Sequence, residues 1–306
     1  MKKILFIIMA LGLPGYEAGA CDICDCGVGS NYIGILPDFS KKIAGIRYRY
    51  SSMATHLGFG GAQTYLTSEE SYRIVELWGG WNVGKRFRIM ASIPFNFDER
   101  TNLGTTGTKN GLGDISLSGF YQLVNSKKIL NHKLFVQSFF IGGGIKLPTG
   151  KYKDADKENS NEAANLFQLG TASTDFNIST MYDVRLQDIG LNINASYKIN
   201  TANKYEYVYG NKLSVNTQLY YKFRINKNLV LAPNTGIQIE SSAKDFERKF
   251  KVDASGGNML CAGFGVETRF KRVAIGANWQ TPLSQNLASG FVKANNKGML
   301  HVSFFL

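Results

Sequence analysis

No run of about 18 consecutive apolar residues occurs in this sequence, which excludes a bundle of membrane-spanning helices. Charge is also scarce. Only 19% of the 306 residues are charged against 44% hydrophobic, a balance that excludes a disordered chain. Proline numbers only 6 and histidine only 3. His56, His132 and His301 are scattered, and none falls beside a serine on an apolar face. HExxH, nucleophile-elbow and phosphate-loop motifs are missing as well. The chain is therefore not expected to be an enzyme. What it has in quantity is 33 Gly, 20 Phe and 15 Tyr. Low charge with abundant glycine and aromatics points to extensive β-structure, with aromatics on a surface and glycines at bends.

Acidic residues are few: 23 Asp+Glu against 35 Lys+Arg, a net charge of +12. Such a balance suits a nucleic acid or an acidic surface. The start of the chain decides between them. Lys2 and Lys3 precede the apolar run 4–13 (ILFIIMALGL), Pro14-Gly15 breaks it, and Ala18-Gly19-Ala20 offers a cleavage site. This reads as a secretory signal peptide over 1–20, or a lipoprotein signal with Cys21 acylated. An exported chain meets no chromosome, so no nucleic-acid partner is expected.

Beyond residue 40 the dominant pattern is alternation. In 189–200, Ile189, Leu191, Ile193, Ala195, Tyr197 and Ile199 share one face, and Asn192, Asn194, Ser196 and Lys198 the other. Period-2 alternation over a dozen residues means long strands with one apolar face. Twelve such segments can be marked: 41–53, 70–83, 86–98, 111–123, 133–147, 168–186, 189–200, 212–225, 229–241, 258–270, 273–283 and 297–306. The connections alternate long (54–69, 99–110, 148–167, 201–211, 242–257, 284–296) and short. Outer-membrane barrels have an even strand number, long extracellular loops and short periplasmic turns. The expected fold is therefore all-β: a single antiparallel transmembrane barrel of about 12 strands over 41–306, in the cell outer membrane, with lipid around it and the barrel-assembly machinery as a partner. A soluble β-sandwich is the competing fold.

In a barrel the apolar face meets lipid and the polar face lines the lumen. Phase assigns Arg47, Arg49, Arg73, Arg88, Arg185, Lys198, Lys222, Arg224 and Arg269 to the lumen, with Glu76, Asp114, Asp175, Asp183 and Glu267. The surplus of bases would favour anionic solutes if the pore is open. If these charges pair across the lumen, they close it instead. Tyr48, Tyr50, Trp81, Tyr182, Tyr221 and Trp279 suit interfacial girdles.

Four stretches carry a resemblance: GLGDISLSGFYQL (111–123), GIKLPTG (144–150), SIPFNF (92–97) and WQTP (279–282). In this order and spacing the chain resembles the outer-membrane transporter family, also called the meta-pathway phenol-degradation-like family. That resemblance implies a porin-like barrel passing a small solute by facilitated diffusion. The start CDICDCGVGSNYIGILPDF (21–39) is similar to a Bacteroidetes-type subset with a Cys-rich N-terminus, for which the resemblance implies metal handling.

Cys21, Cys24 and Cys26 form a C-x2-C-x-C cluster with Asp22 and Asp25 interleaved. Three thiolates plus a carboxylate or the terminal amine could hold copper or zinc. A disulfide between two of them, or lipidation, is the competing reading. A metal-binding or assembly-partner barrel working through this leader is thus the alternative function. Residues 21–40 are a periplasmic leader or a lumen plug, and Cys261 is expected to be a free thiol on the lumen face.

Overall fold

The computed structural model describes residues 42–154 and 166–306. The expected signal peptide, the leader and Cys21, Cys24 and Cys26 lie outside the described residues.

The strands are β1 (Ile43–Thr55), β2 (Ser68–Val83), β3 (Phe87–Asn102), β4 (Ile115–Leu130), β5 (Lys133–Leu147), β6 (Asp175–Leu186), β7 (Ile189–Ile199), β8 (Lys212–Tyr221), β9 (Leu229–Ser242), β10 (Gly257–Phe270), β11 (Val273–Leu287) and β12 (Lys293–Phe305). Each pairs antiparallel with its chain neighbours, and β1 pairs with β12 from Ile43↔Phe305 to Ala54↔Lys293. The sheet therefore closes into a 12-strand barrel with no free edge along its wall. Closure satisfies backbone N–H and C=O groups inside a bilayer, where no water is at hand to do so. The 13 residues of β1 would rise about 44 Å along the strand. Tilted by about 40°, they cover about 34 Å, enough for a hydrocarbon core of about 30 Å.

The outward face is apolar around the whole circumference. Ile46, Leu77, Phe95, Ile141, Ile178, Leu219, Ile237, Ile275 and Leu300 are all substantially exposed. In water such a surface would be a costly apolar patch, and against acyl chains it is the required one. Trp81, Tyr121, Tyr197, Tyr221 and Trp279 are outward as well.

Several element ends differ from the sequence expectation. Residues 99–110 form no open loop. Strand β3 runs on to Asn102, turns at Leu103-Gly104 with φ of 46° and 78°, and returns as Thr105–Leu112 paired from Asn102↔Thr105 to Phe95↔Leu112. The segment expected to be a strand over 111–123 instead spans Ile115–Leu130, and the turn after it shrinks to Asn131-His132. β6 begins at Asp175 and not at 168, because 166–174 bends into the lumen. Short pieces at Tyr207–Val208, Phe246–Glu247 and Phe250–Lys251 form a small separate sheet over the long loops.

Inside the barrel wall, described apolar side chains pack toward both ends. Toward the short turns, Ile43, Trp78, Met90, Phe120, Phe140 and Phe305 pack together. Toward the long loops, Met53, Tyr72, Met259, Cys261, Leu287 and Leu166 do so. Cys261 is a free thiol, 1% exposed, in that upper cluster.

Candidate functional site

Polar residues fill the lumen between those clusters. Register sets Glu267 (β10), Gly276 (β11), His301 (β12), Arg47 (β1) and Glu76 (β2) side by side. Arg47 Nη1 lies 3.2 Å from Glu76 Oε2, and Arg49 Nη2 lies 3.8 Å from the same atom. His301 Nε2 lies 3.5 Å from Glu267 Oε1. Gly276 makes that contact possible, since a Cβ there would meet His301 Nε2 at 2.1 Å. Arg47 also lies over the Trp78 ring, 5.3 Å from its centroid. Farther up, Glu240 faces Lys297 at 3.5 Å and Lys212 at 3.8 Å. These groups are nearly all buried, where charges persist only when paired.

A second network holds residues 148–154 and 166–174 inward. Asp114 sits between the returning hairpin and β4. Its carboxylate accepts from the backbone N–H of Gly150 (2.9 Å), the N–H of Thr171 (2.9 Å) and the Thr171 hydroxyl (3.0 Å). Lys146 Nζ bridges Asp114 (2.8 Å) and Asp175 (2.6 Å) and also donates to the Thr171 hydroxyl. Asn96 donates to the Leu169 carbonyl at 3.1 Å, and Lys109 donates to the Phe167 carbonyl. The Phe167 ring also lies near two cations, the Arg100 guanidinium at 4.7 Å and the Lys109 ammonium at 4.6 Å from its centroid. Gly150 is required by close approach. A Cβ there would lie 2.6 Å from the Leu169 oxygen and 2.7 Å from Gly170 Cα.

Three of the sequence stretches thus meet at one place. GLGD supplies Asp114, GIKLPTG supplies Lys146 and Gly150, and SIPFNF supplies Asn96, with Pro94 accepting from the Gly113 N–H at 2.9 Å. Thr149 adds to the junction by donating to the Gly113 carbonyl at 2.8 Å and accepting from the Ile115 N–H at 2.9 Å.

The segment leads across the lumen. Leu166 packs with Met53, Tyr72, Met259 and Leu287 on the facing wall. Above it opens a cavity of about 610 Å³ lined by Leu57, Tyr65, Leu66, Ala254, Phe291 and Val292, with the Arg100–Glu70 pair (2.7 Å) at its base. Below it, cavities of about 100 and 70 Å³ follow, both lined by Arg49, Asp114, Lys146 and Lys198. Leu166 lines both the upper cavity and the larger of the two below it.

The structure distributes the sequence-assigned lumen residues unevenly. Arg47, Arg49 and Arg88 are buried on the inward face, as are Glu76 and Glu267. Arg185, Lys222 and Arg269 lie inward near the short turns, and Lys198 lines the cavities beneath Leu166. Arg73 is a correction. It lies on the outer face, 45% exposed, with Glu99 at 3.5 Å. The strand's phase explains this: Tyr72, Ile74 and Glu76 point inward, so the odd position between them must point out. Arg224 sits at the rim, 56% exposed and 2.8 Å from Asp188. Sequence reasoning passed over Lys146, Lys212, Lys297, Glu70 and Glu240, whose pairings bring both signs into the upper lumen. Glu240 was legible by phase, since Ile237 and Ile239 are outward. Lys297 was hidden because its strand was expected to start there.

A search among curated proteins found no match. Among solved structures, the COG4313 outer membrane channel from Pseudomonas putida F1 is similar at a TM-score of 0.60 and 14% identity, covering 89% of this chain and 100% of that one. The β domain of the Bordetella autotransporter BrkA is similar at 0.50 and 8% identity, covering 87% and 100%. Both likenesses concern the fold, and neither neighbour is an enzyme by its description. The barrel is of the outer-membrane type, with an apolar outer face that meets lipid. Residues 48–292 match the family described as "Putative MetA-pathway of phenol degradation", and the chain belongs to that family of outer-membrane barrels.

Proposed function

We propose that the barrel carries a small aromatic acid, or a solute of similar size and polarity, across the outer membrane by facilitated diffusion. The observation that carries this reading is the apolar vestibule of about 610 Å³ above Leu166, opening toward a lumen lined by Arg49, Lys146 and Lys198. Its volume falls in the usual range for small-ligand sites. An aromatic ring would leave water against Leu57, Tyr65 and Phe291, while its carboxylate met the bases below. The cavity beneath Leu166, about 100 Å³, is smaller than the roughly 150 Å³ that accommodates benzene. Passage therefore requires the 166–171 segment to shift, and bulkier solutes are refused. The family description, which names phenol degradation, supports the aromatic class.

Swelling of proteoliposomes tests this. Benzoate, which crosses lipid poorly as an anion, should enter faster than a pentose of similar size. Phe291→Ser, on the half-exposed vestibule wall, should reduce that preference. Equal rates for benzoate and pentose, or no uptake above protein-free vesicles, would overturn the reading.

A further inference from the structure

The excess positive charge is not spread evenly over the described residues. Long-loop residues mix both signs, as where Lys244 meets Asp253 at 3.1 Å. The short turns differ. The β2–β3 turn carries Lys85 and Arg86, and the β10–β11 turn carries Lys271 and Arg272. The β8–β9 turn adds Lys227, and the projecting β4–β5 hairpin adds Lys127, Lys128 and Lys133. All eight are exposed, and none forms an ion pair among the described residues. The one acid on these turns, Asp188, is engaged by Arg224 at 2.8 Å.

The depth of these cations is set by their neighbours. Arg86 is followed at once by Phe87, which is outward and 40% exposed, and Lys271 is preceded by Phe270, 54% exposed. Trp81 stands outward at the end of β2, and Tyr221 and Phe223 stand outward before Lys227. Outward aromatics of this kind settle at the membrane–water boundary. One residue of strand is about 3.3 Å, so the turn cations project a few ångströms beyond that boundary, into the layer of lipid phosphates. The Lys271 ammonium lies over the Phe270 ring, 5.4 Å from its centroid, so this cation sits beside an outward aromatic.

We propose that the short-turn rim is a binding surface for phosphate-bearing anionic lipid headgroups of the inner leaflet, of the phosphatidylglycerol type. Eight cations spread over four turns around the rim suit many mobile phosphates. A single acidic protein would need them gathered on one side. The consequence is a protein that gathers anionic lipid around its periplasmic end, independently of what passes through the lumen.

Brominated lipids test this in phosphatidylcholine vesicles containing the full chain. Trp81 and Trp279, both outward, report lipid contact by fluorescence quenching. Brominated phosphatidylglycerol should associate several-fold more strongly than brominated phosphatidylcholine. The preference should fall toward one at high salt, because exposed charges are screened there. It should fall likewise in the Lys85→Gln, Arg86→Gln, Lys271→Gln, Arg272→Gln variant. Equal quenching by the two lipids in the unmodified protein overturns the proposal, whether or not polyglutamate binds the protein in detergent as an acidic partner would. A preference that survives both high salt and the variant overturns it too. The salt arm needs no mutant to fold.

Discussion

Replacing Asp114 by alanine should release the inward segment and widen the pore. In the structure this carboxylate is 7% exposed and accepts from Gly150 and Thr171, one in each of the described stretches 148–154 and 166–174. Hydrogen bonds to a charged acceptor contribute about 1.5–3 kcal/mol each. The two amides freed by the substitution can reach lumen water, so the lower end applies, about 3 kcal/mol for the pair. Each 1.4 kcal/mol is about a factor of ten, so the preference for the inward position should fall roughly 100-fold. The barrel itself should survive, because Lys146 keeps Asp175 at 2.6 Å and no strand pairing involves the lost group. Single-channel recording in planar bilayers is the assay, with heat-modifiable gel mobility to certify folding. Asp114→Ala should show a larger or more frequently open conductance, and Asp114→Asn, which retains an acceptor oxygen, an intermediate one. A folded Asp114→Ala barrel that conducts as the unmodified protein does would refute the idea that this carboxylate holds the constriction.

Three further outcomes are expected. Gly150→Val should act in the same direction as Asp114→Ala, since its Cβ would press on Leu169 and Gly170, and the same recordings read it. Glu76→Gln removes the carboxylate facing Arg47 and Arg49. The reversal potential in a salt gradient should move toward anions and denaturant stability should drop by about 3–5 kcal/mol, with an unchanged potential counting against a conducting lumen at that level. Leu300→Arg, at an outward position that is 56% exposed, should cost about 2–4 kcal/mol in folding into vesicles if it lies near the bilayer midplane, whereas an exposed site in water would tolerate it.

Much of the barrel was legible because a strand's period of two is written directly in its residues. Ile189 to Ile199 and Lys212 to Tyr221 alternate so regularly that one face had to meet lipid or a dry core. The alternation of long and short connections then chose the membrane barrel. Parity errors came where a single position was read without its strand, as with Arg73. Element ends were misread where pairing continues beyond the apolar pattern. Thr105–Leu112 and Ser126–Leu130 are strands because their backbones find partners, not because their side chains alternate.

The sequence by itself determined the strand count, the lipid-facing side and the polar character of the interior. These follow from local periodicity, which needs no knowledge of what lies across the barrel. Only the tertiary structure decided which charges meet. Asp114, Lys146 and Asp175 are separated by some thirty residues each in the chain, and strand register with shear brings them within 3 Å. It also decided that 166–174 turns inward, because the anchoring groups come from three different elements and the apolar partners of Leu166 from the opposite wall. Residue type and spacing announce what a side chain prefers to touch. Which partner it finds depends on closure of the whole sheet.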